Sequence, residues 1–111
     1  MDRTLADRLN QLNKQNQVLK EEEKIYLELE ANRKPLLAKL TIKAEGKSFS
    51  ERESIALASP EWRDFAQGLV IAEVQLNYAK RRYEILDKAF LAEYSSMKLD
   101  GNTIRRGSAV T

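Results

Sequence analysis

A 4-3 repeat of apolar residues runs through the second half of the chain: Phe65, Leu69, Ala72, Leu76, Ala79, Tyr83, Leu86, Phe90, then Glu93, then Met97. Nine of these ten positions are apolar, which is enough to hold one stripe on a single helical face. Such a stripe is buried only against another helix, so the pattern demands an all-α fold with a partner helix. Ser59-Pro60-Glu61 marks the start: Ser caps free N–H groups, Pro tolerates the first helical position, and Glu61 and Asp64 sit at the positive end of the dipole. Asp100-Gly101-Asn102 marks the expected stop, with Gly in the left-handed cap position.

The partner is expected upstream, where Val18, Ile25, Leu29, Leu36 and Leu40 recur at helical spacing, interrupted by Glu22 and Asn32. Pro35 lies inside that pattern and removes one backbone hydrogen bond, which predicts a kink or break just before it. Gly46 ends the segment, and Ser50-Glu51-Arg52-Glu53 reads as a capping box opening a short helix of Ile55, Ala56, Leu57 and Ala58. The expected fold is a long antiparallel helical hairpin with a short helical elbow, assembling into a homo-oligomer through coiled-coil-like packing. Its parts are a polar N-terminal segment of weak helix at 1–17, a hairpin domain at 18–102 and a flexible basic tail at 103–111. Within the hairpin the expected helices are 18–45, 50–58 and 60–100. The N-terminal segment carries Leu5, Leu9 and Leu12 as a weak seam among Asn and Gln, suited to ordering on association.

At 111 residues one modest core is expected. Charged residues make up 32% of the chain against 4 Gly and 2 Pro, a composition that favours long solvated helices. Cys and His are both absent, which removes disulfides, thiolate nucleophiles, zinc fingers and the usual neutral-pH proton shuttle. Glu21, Glu22 and Glu23, and Glu51 with Glu53, diverge around a helix and form no acid–base or metal constellation. No catalytic residue, metal or cofactor is expected. The opening Met-Asp-Arg-Thr-Leu lacks the apolar core of a signal peptide, and nowhere do about 18 apolar residues run together, so a cytoplasmic location without membrane insertion is expected.

The net charge of +2 conceals a segmental pattern: −2 over 1–31, +4 over 32–49, −3 over 50–77 and +3 over 78–111. The first basic cluster, Arg33, Lys34, Lys39, Lys43 and Lys47, has spacings of four and five that suit a phosphate backbone along one side of a helix. The same cations also complement the C-terminal end of a helix dipole. The second cluster, Lys80-Arg81-Arg82 with Lys88, is interleaved with Tyr78 and Tyr83, a mixture suited to single-stranded nucleic acid. Tyr83 belongs to the heptad seam and reads as core. Tyr78 belongs with Val70, Val74 and Ile85 to a second, flanking apolar stripe that one neighbouring helix does not cover, which points to an oligomer interface. Trp62, the only tryptophan, is expected to pack under the elbow, with interface anchoring as the alternative.

The run Glu28-Leu29-Glu30-Ala31-Asn32-Arg33-Lys34, a Leu/Lys-rich helix end, a Gly, a Ser/Glu-containing elbow and Ala58-Ser59-Pro60-Glu61 together resemble the UvsY-type recombination mediators of bacteriophage, over roughly residues 22–101. The resemblance implies a homo-oligomer that binds single-stranded DNA and helps a recombinase replace single-strand-binding protein, without hydrolysing nucleotide. It implies DNA contacts from basic residues before the Gly, which fall here on Arg33, Lys34, Lys39 and Lys43. The chain departs from the family pattern in Pro35, in a less aromatic end to that helix and in its Asn/Gln-rich N-terminal segment. Two other classes fit the residues: a protein-binding adaptor or inhibitor directed at a host nuclease or defence complex, and a virion scaffold component.

Overall fold

A computed structural model describes residues 3–110, with side chains described for 3–99. The described residues form three helices: α1 (Arg3–Lys43), α2 (Phe49–Leu57) and α3 (Pro60–Val110). No described residue is in a strand. No helix is long and apolar enough to cross a membrane among the described residues.

The chain divides into two compact units where one core was expected. A terminal unit takes residues 3–19 and 79–110, and an elbow unit takes 20–78. The cause is legible in α1: between Gln15 and Leu40 none of its residues is buried, and the intervening Lys20-Glu21-Glu22-Glu23-Lys24 has nothing to place in a core. The N-terminal segment is thus an integral part of α1. Leu5 and Leu12 are buried in the terminal unit, and the buried Gln15 donates its side-chain amide to the Ala79 carbonyl at 3.2 Å. That bond satisfies a polar group that would otherwise be costly to bury.

α1 runs through Pro35 without a break. Proline has no N–H to give the Ala31 carbonyl, but both residues are exposed, so water can take the vacant place. At the far end Thr41, 6% exposed, turns its hydroxyl onto the Leu37 carbonyl at 2.7 Å. The helix closes with the Ala44 N–H on the carbonyls of Leu40 and Thr41.

The elbow cap is two residues earlier than the sequence pattern suggested. Ser48, in extended conformation, accepts the Glu51 N–H at 3.2 Å, while the Glu51 carboxylate accepts the Lys47 N–H at 3.1 Å. Ser50 lies inside α2, because Phe49 already has helical geometry. Gly46 sits at close quarters: a Cβ there would stand 3.0 Å from Arg52 Cγ and 3.1 Å from the Arg52 backbone nitrogen, so a larger residue needs these neighbours to shift by a few tenths of an ångström. The start of α3 is as expected. Ser59 Oγ accepts the Trp62 N–H at 3.2 Å and donates to the Ala56 carbonyl at 2.6 Å, so one hydroxyl ties the end of α2 to the first turn of α3.

α3 does not stop at Asp100-Gly101-Asn102; its backbone is helical to Val110. Glycine in a helix interior costs only about 1 kcal/mol relative to alanine, and it ends a helix only where a left-handed cap is adopted. No described glycine has positive φ. The basic tail expected at 103–111 falls on residues whose side chains lie outside the described ones.

The 4-3 seam is the buried face of α3. In the elbow unit Ala72 and Leu76 are buried and Phe65 and Leu69 half-buried; in the terminal unit Ala79 is buried and Tyr83, Leu86, Phe90 and Glu93 are half-buried. Met97, the last seam position, is exposed. The cores are lean, with no large side chain fully buried among the described residues.

Candidate functional site

Three surface features carry chemistry: the basic residues, an exposed apolar stripe on α3, and a groove at the elbow. Arg33, Lys34, Lys39, Lys43 and Lys47 all lie in the elbow unit and all are exposed. Arg33 stands 3.7 Å from Glu30, the one ion pair among the described side chains. The other four cations of this cluster therefore have no carboxylate within salt-bridge distance among the described residues. Their placement is less uniform than the spacing suggested. At about 100° per residue, Lys39 and Lys43 share one side of α1, whereas Lys34 lies roughly 140° from Lys39. A step of five residues does not stay on one helical face. Lys34 instead joins Arg33 along a groove lined by Leu37, Leu57 and Trp62.

Lys80, Arg81 and Arg82 lie in the terminal unit and are exposed. Arg82 borders a groove with Lys14, Gln15, Val18 and Leu86. Lys88 is exposed and Tyr83 is half-buried in the seam, as its heptad position requires. Tyr78, by contrast, is 63% exposed.

Tyr78 belongs in the elbow unit to a stripe with Val70, Ile71 and Val74, the last three 59–61% exposed. At about 100° per residue this stripe is centred roughly half a turn from the seam, so it lies opposite the buried face and does not flank it. One length of α3 is therefore apolar on two faces and buries only one. Ile85, in the terminal unit, is 67% exposed. Trp62 is half-buried, its ring 5.5 Å from that of Phe65 three residues on along α3 at an interplanar angle of 39°, and it lines a groove with Leu37 and Leu57.

The groove at the elbow does not follow from the sequence pattern. Lys34, Leu37, Ala38, Thr41 and Ile42 of α1 face Phe49, Arg52 and Glu53 of α2 across a cavity of about 390 Å³. Ile42 is 80% and Phe49 71% exposed. The one available signal is that both are large apolar residues outside the helical stripes. The Arg52 side chain is fixed by donation from Nε to the Gly46 carbonyl at 2.8 Å.

No cluster of three or more acidic residues among those described could hold a metal ion. The described surface presents exposed cations and exposed apolar side chains. No family model matches the chain, and no curated protein or solved structure matches it.

Proposed function

We propose that the chain is a non-enzymatic accessory protein that binds single-stranded DNA in phage recombination or replication, assisting a recombinase, and that it works as a homo-oligomer of antiparallel helical hairpins in the cell cytoplasm. The observation that carries the reading is the availability of its cations. Lys34, Lys39, Lys43 and Lys47 on the elbow unit, and Lys80, Arg81 and Arg82 on the terminal unit, are exposed and unpaired by carboxylates among the described residues. Cations in that state release condensed counterions when they meet phosphate, which supplies sequence-independent affinity. The stripe of Val70, Val74 and Tyr78 on the elbow unit, and separately Ile85 on the terminal unit, are the surfaces through which copies assemble, since exposed apolar area marks interaction sites.

Fluorescence anisotropy with a labelled single-stranded oligonucleotide tests the reading. Affinity should fall steeply with salt, and alanine at Arg33, Lys34, Lys39 and Lys43 together should lower the salt slope by about 0.7 for each phosphate that is no longer neutralised. Light scattering should show assembly intact in that variant. Absence of binding at low salt defeats the DNA reading. The exposed apolar groove favours a second reading, a protein-binding adaptor or inhibitor acting on a host nuclease or defence complex, for which alanine at Lys39 and Lys43, neither of which lines the groove, would keep full activity. A virion scaffold would assemble with no dependence on nucleic acid.

A further inference from the structure

We propose that the groove between the end of α1 and α2 docks an acidic amphipathic segment of a partner protein; Lys34 on its rim is also a cation of the DNA reading, whereas Ile42 and Phe49 are not. Its floor and walls are apolar: Leu37, Ala38, Ile42 and Phe49 contribute hydrocarbon, and Thr41 contributes its methyl because its hydroxyl is engaged by the Leu37 carbonyl at 2.7 Å. Phe49 opens α2 and Ile42 ends the groove's α1 wall, and both stand largely in solvent. A binding interface is commonly centred on an aromatic or aliphatic anchor seated in a pocket, and Phe49 and Ile42 supply such side chains at this one. The cavity of about 390 Å³ lies at the small end of the range for ligand pockets, roughly 300–1,000 Å³, and suits one or two apolar side chains presented from a helix.

Charge specifies what surrounds those side chains. Lys34 on α1 and Arg52 on α2 border the groove, and neither has a carboxylate within salt-bridge distance among the described residues. The Gly46 carbonyl holds Arg52 by Nε, so the guanidinium is oriented before any partner arrives. A fixed guanidinium recognises carboxylate well, because its planar fork is pre-organised. Glu53 is the only carboxylate on the lining, and the adjoining segment 32–49 carries +4. An apolar cleft with a net basic rim selects a segment that alternates large apolar and acidic residues. It disfavours nucleic acid, which would bring phosphate to a surface with few cations and much hydrocarbon.

The test uses the full chain and two short fluorescein-labelled helical peptides. Both carry Leu or Phe at i, i+3, i+4 and i+7; the remaining positions are Glu in one and Lys in the other. The acidic peptide should bind saturably and the basic one should not. Phe49→Ala and Ile42→Ala, whose side chains are exposed and whose loss should leave helicity unchanged by circular dichroism, should each weaken the acidic peptide roughly tenfold. Lys34→Glu should weaken it several-fold. Single-stranded DNA affinity should stay within about twofold in Phe49→Ala, which separates this site from the DNA reading. The proposal is overturned if neither peptide saturates, if both bind alike, or if Phe49→Ala binds as the parent does. It is equally overturned if light scattering shows that Phe49→Ala dissolves self-association while the parent takes up no peptide, for then a second copy fills the groove.

Discussion

Two faces of the same stretch of α3 carry apolar side chains, and they meet opposite fates. On the seam Ala72 and Leu76 are each 5% exposed; on the other side Val70, Ile71, Val74 and Tyr78 are 59–63% exposed. Between Val70 and Tyr78 the exposed face carries four large apolar side chains and the seam one, Leu76. Alanine at seam positions lets helices approach closely but removes little area from solvent, which is why the cores are lean. Fully burying a valine or isoleucine is worth about 1.5–3 kcal/mol, so the exposed face holds more unrealised hydrophobic free energy than Ala72 can supply on the buried one. Between Val70 and Tyr78 the chain therefore leaves four large apolar side chains in water opposite a face that buries Ala72 and Leu76.

The comparison breaks most readily at Leu76. Leu76→Ala should destabilise the chain by about 3 kcal/mol in urea unfolding, as expected for a buried leucine whose cavity only partly collapses. Val74→Ala, two residues away on the exposed face, should change the stability of the isolated chain by less than about 0.5 kcal/mol. By the assembly proposal, the same variant should raise the dissociation constant of self-association roughly tenfold by light scattering. Equal destabilisation by the two variants would end the distinction between the faces.

The point at which α3 begins sets which residues land on which face. Ser59→Ala removes both the cap on Trp62 and the tie to Ala56, and should cost about 1 kcal/mol with the Trp62 fluorescence shifting toward water. At the elbow, Ser48→Ala should cost a similar amount and Ser50→Ala nearly nothing, since only Ser48 accepts the Glu51 N–H. The smallest effect is expected at Gly68, where a Cβ would meet nothing within 4 Å. Gly68→Ala should stabilise α3 by about 0.5–1 kcal/mol through reduced freedom of the unfolded chain. A loss of assembly in that variant would show that the space beside Gly68 belongs to the interface.

Much of the fold is legible in order along the chain, because caps and periodicity act over one or two helical turns. Ser59-Pro60 opens α3 where its chemistry requires, and the seam from Phe65 to Phe90 is the face turned inward. The differences are of another kind. Ser50 and Ser48 both precede a glutamate at a plausible distance, and only the backbone conformation at Ser48 chooses between them. Gly101 is compatible with a cap and with a helix, so local preference does not decide its state. The four- and five-residue steps among Arg33, Lys34, Lys39 and Lys43 resemble a single row, but a five-residue step turns the corner of a helix.

Residue order alone required a helical chain, a start for α3 at Ser59-Pro60 and a covered face along its 4-3 seam, because each follows from spacing and from unsatisfied N–H groups close in the chain. Three-dimensional packing was needed to divide the chain into two units, to give Gln15 a buried position through the Ala79 carbonyl, and to set Ile42 and Phe49 across one groove from each other. Those outcomes depend on the meeting of residues far apart in the chain, or on the angle between two helices, and neither is encoded in the period of a single helix.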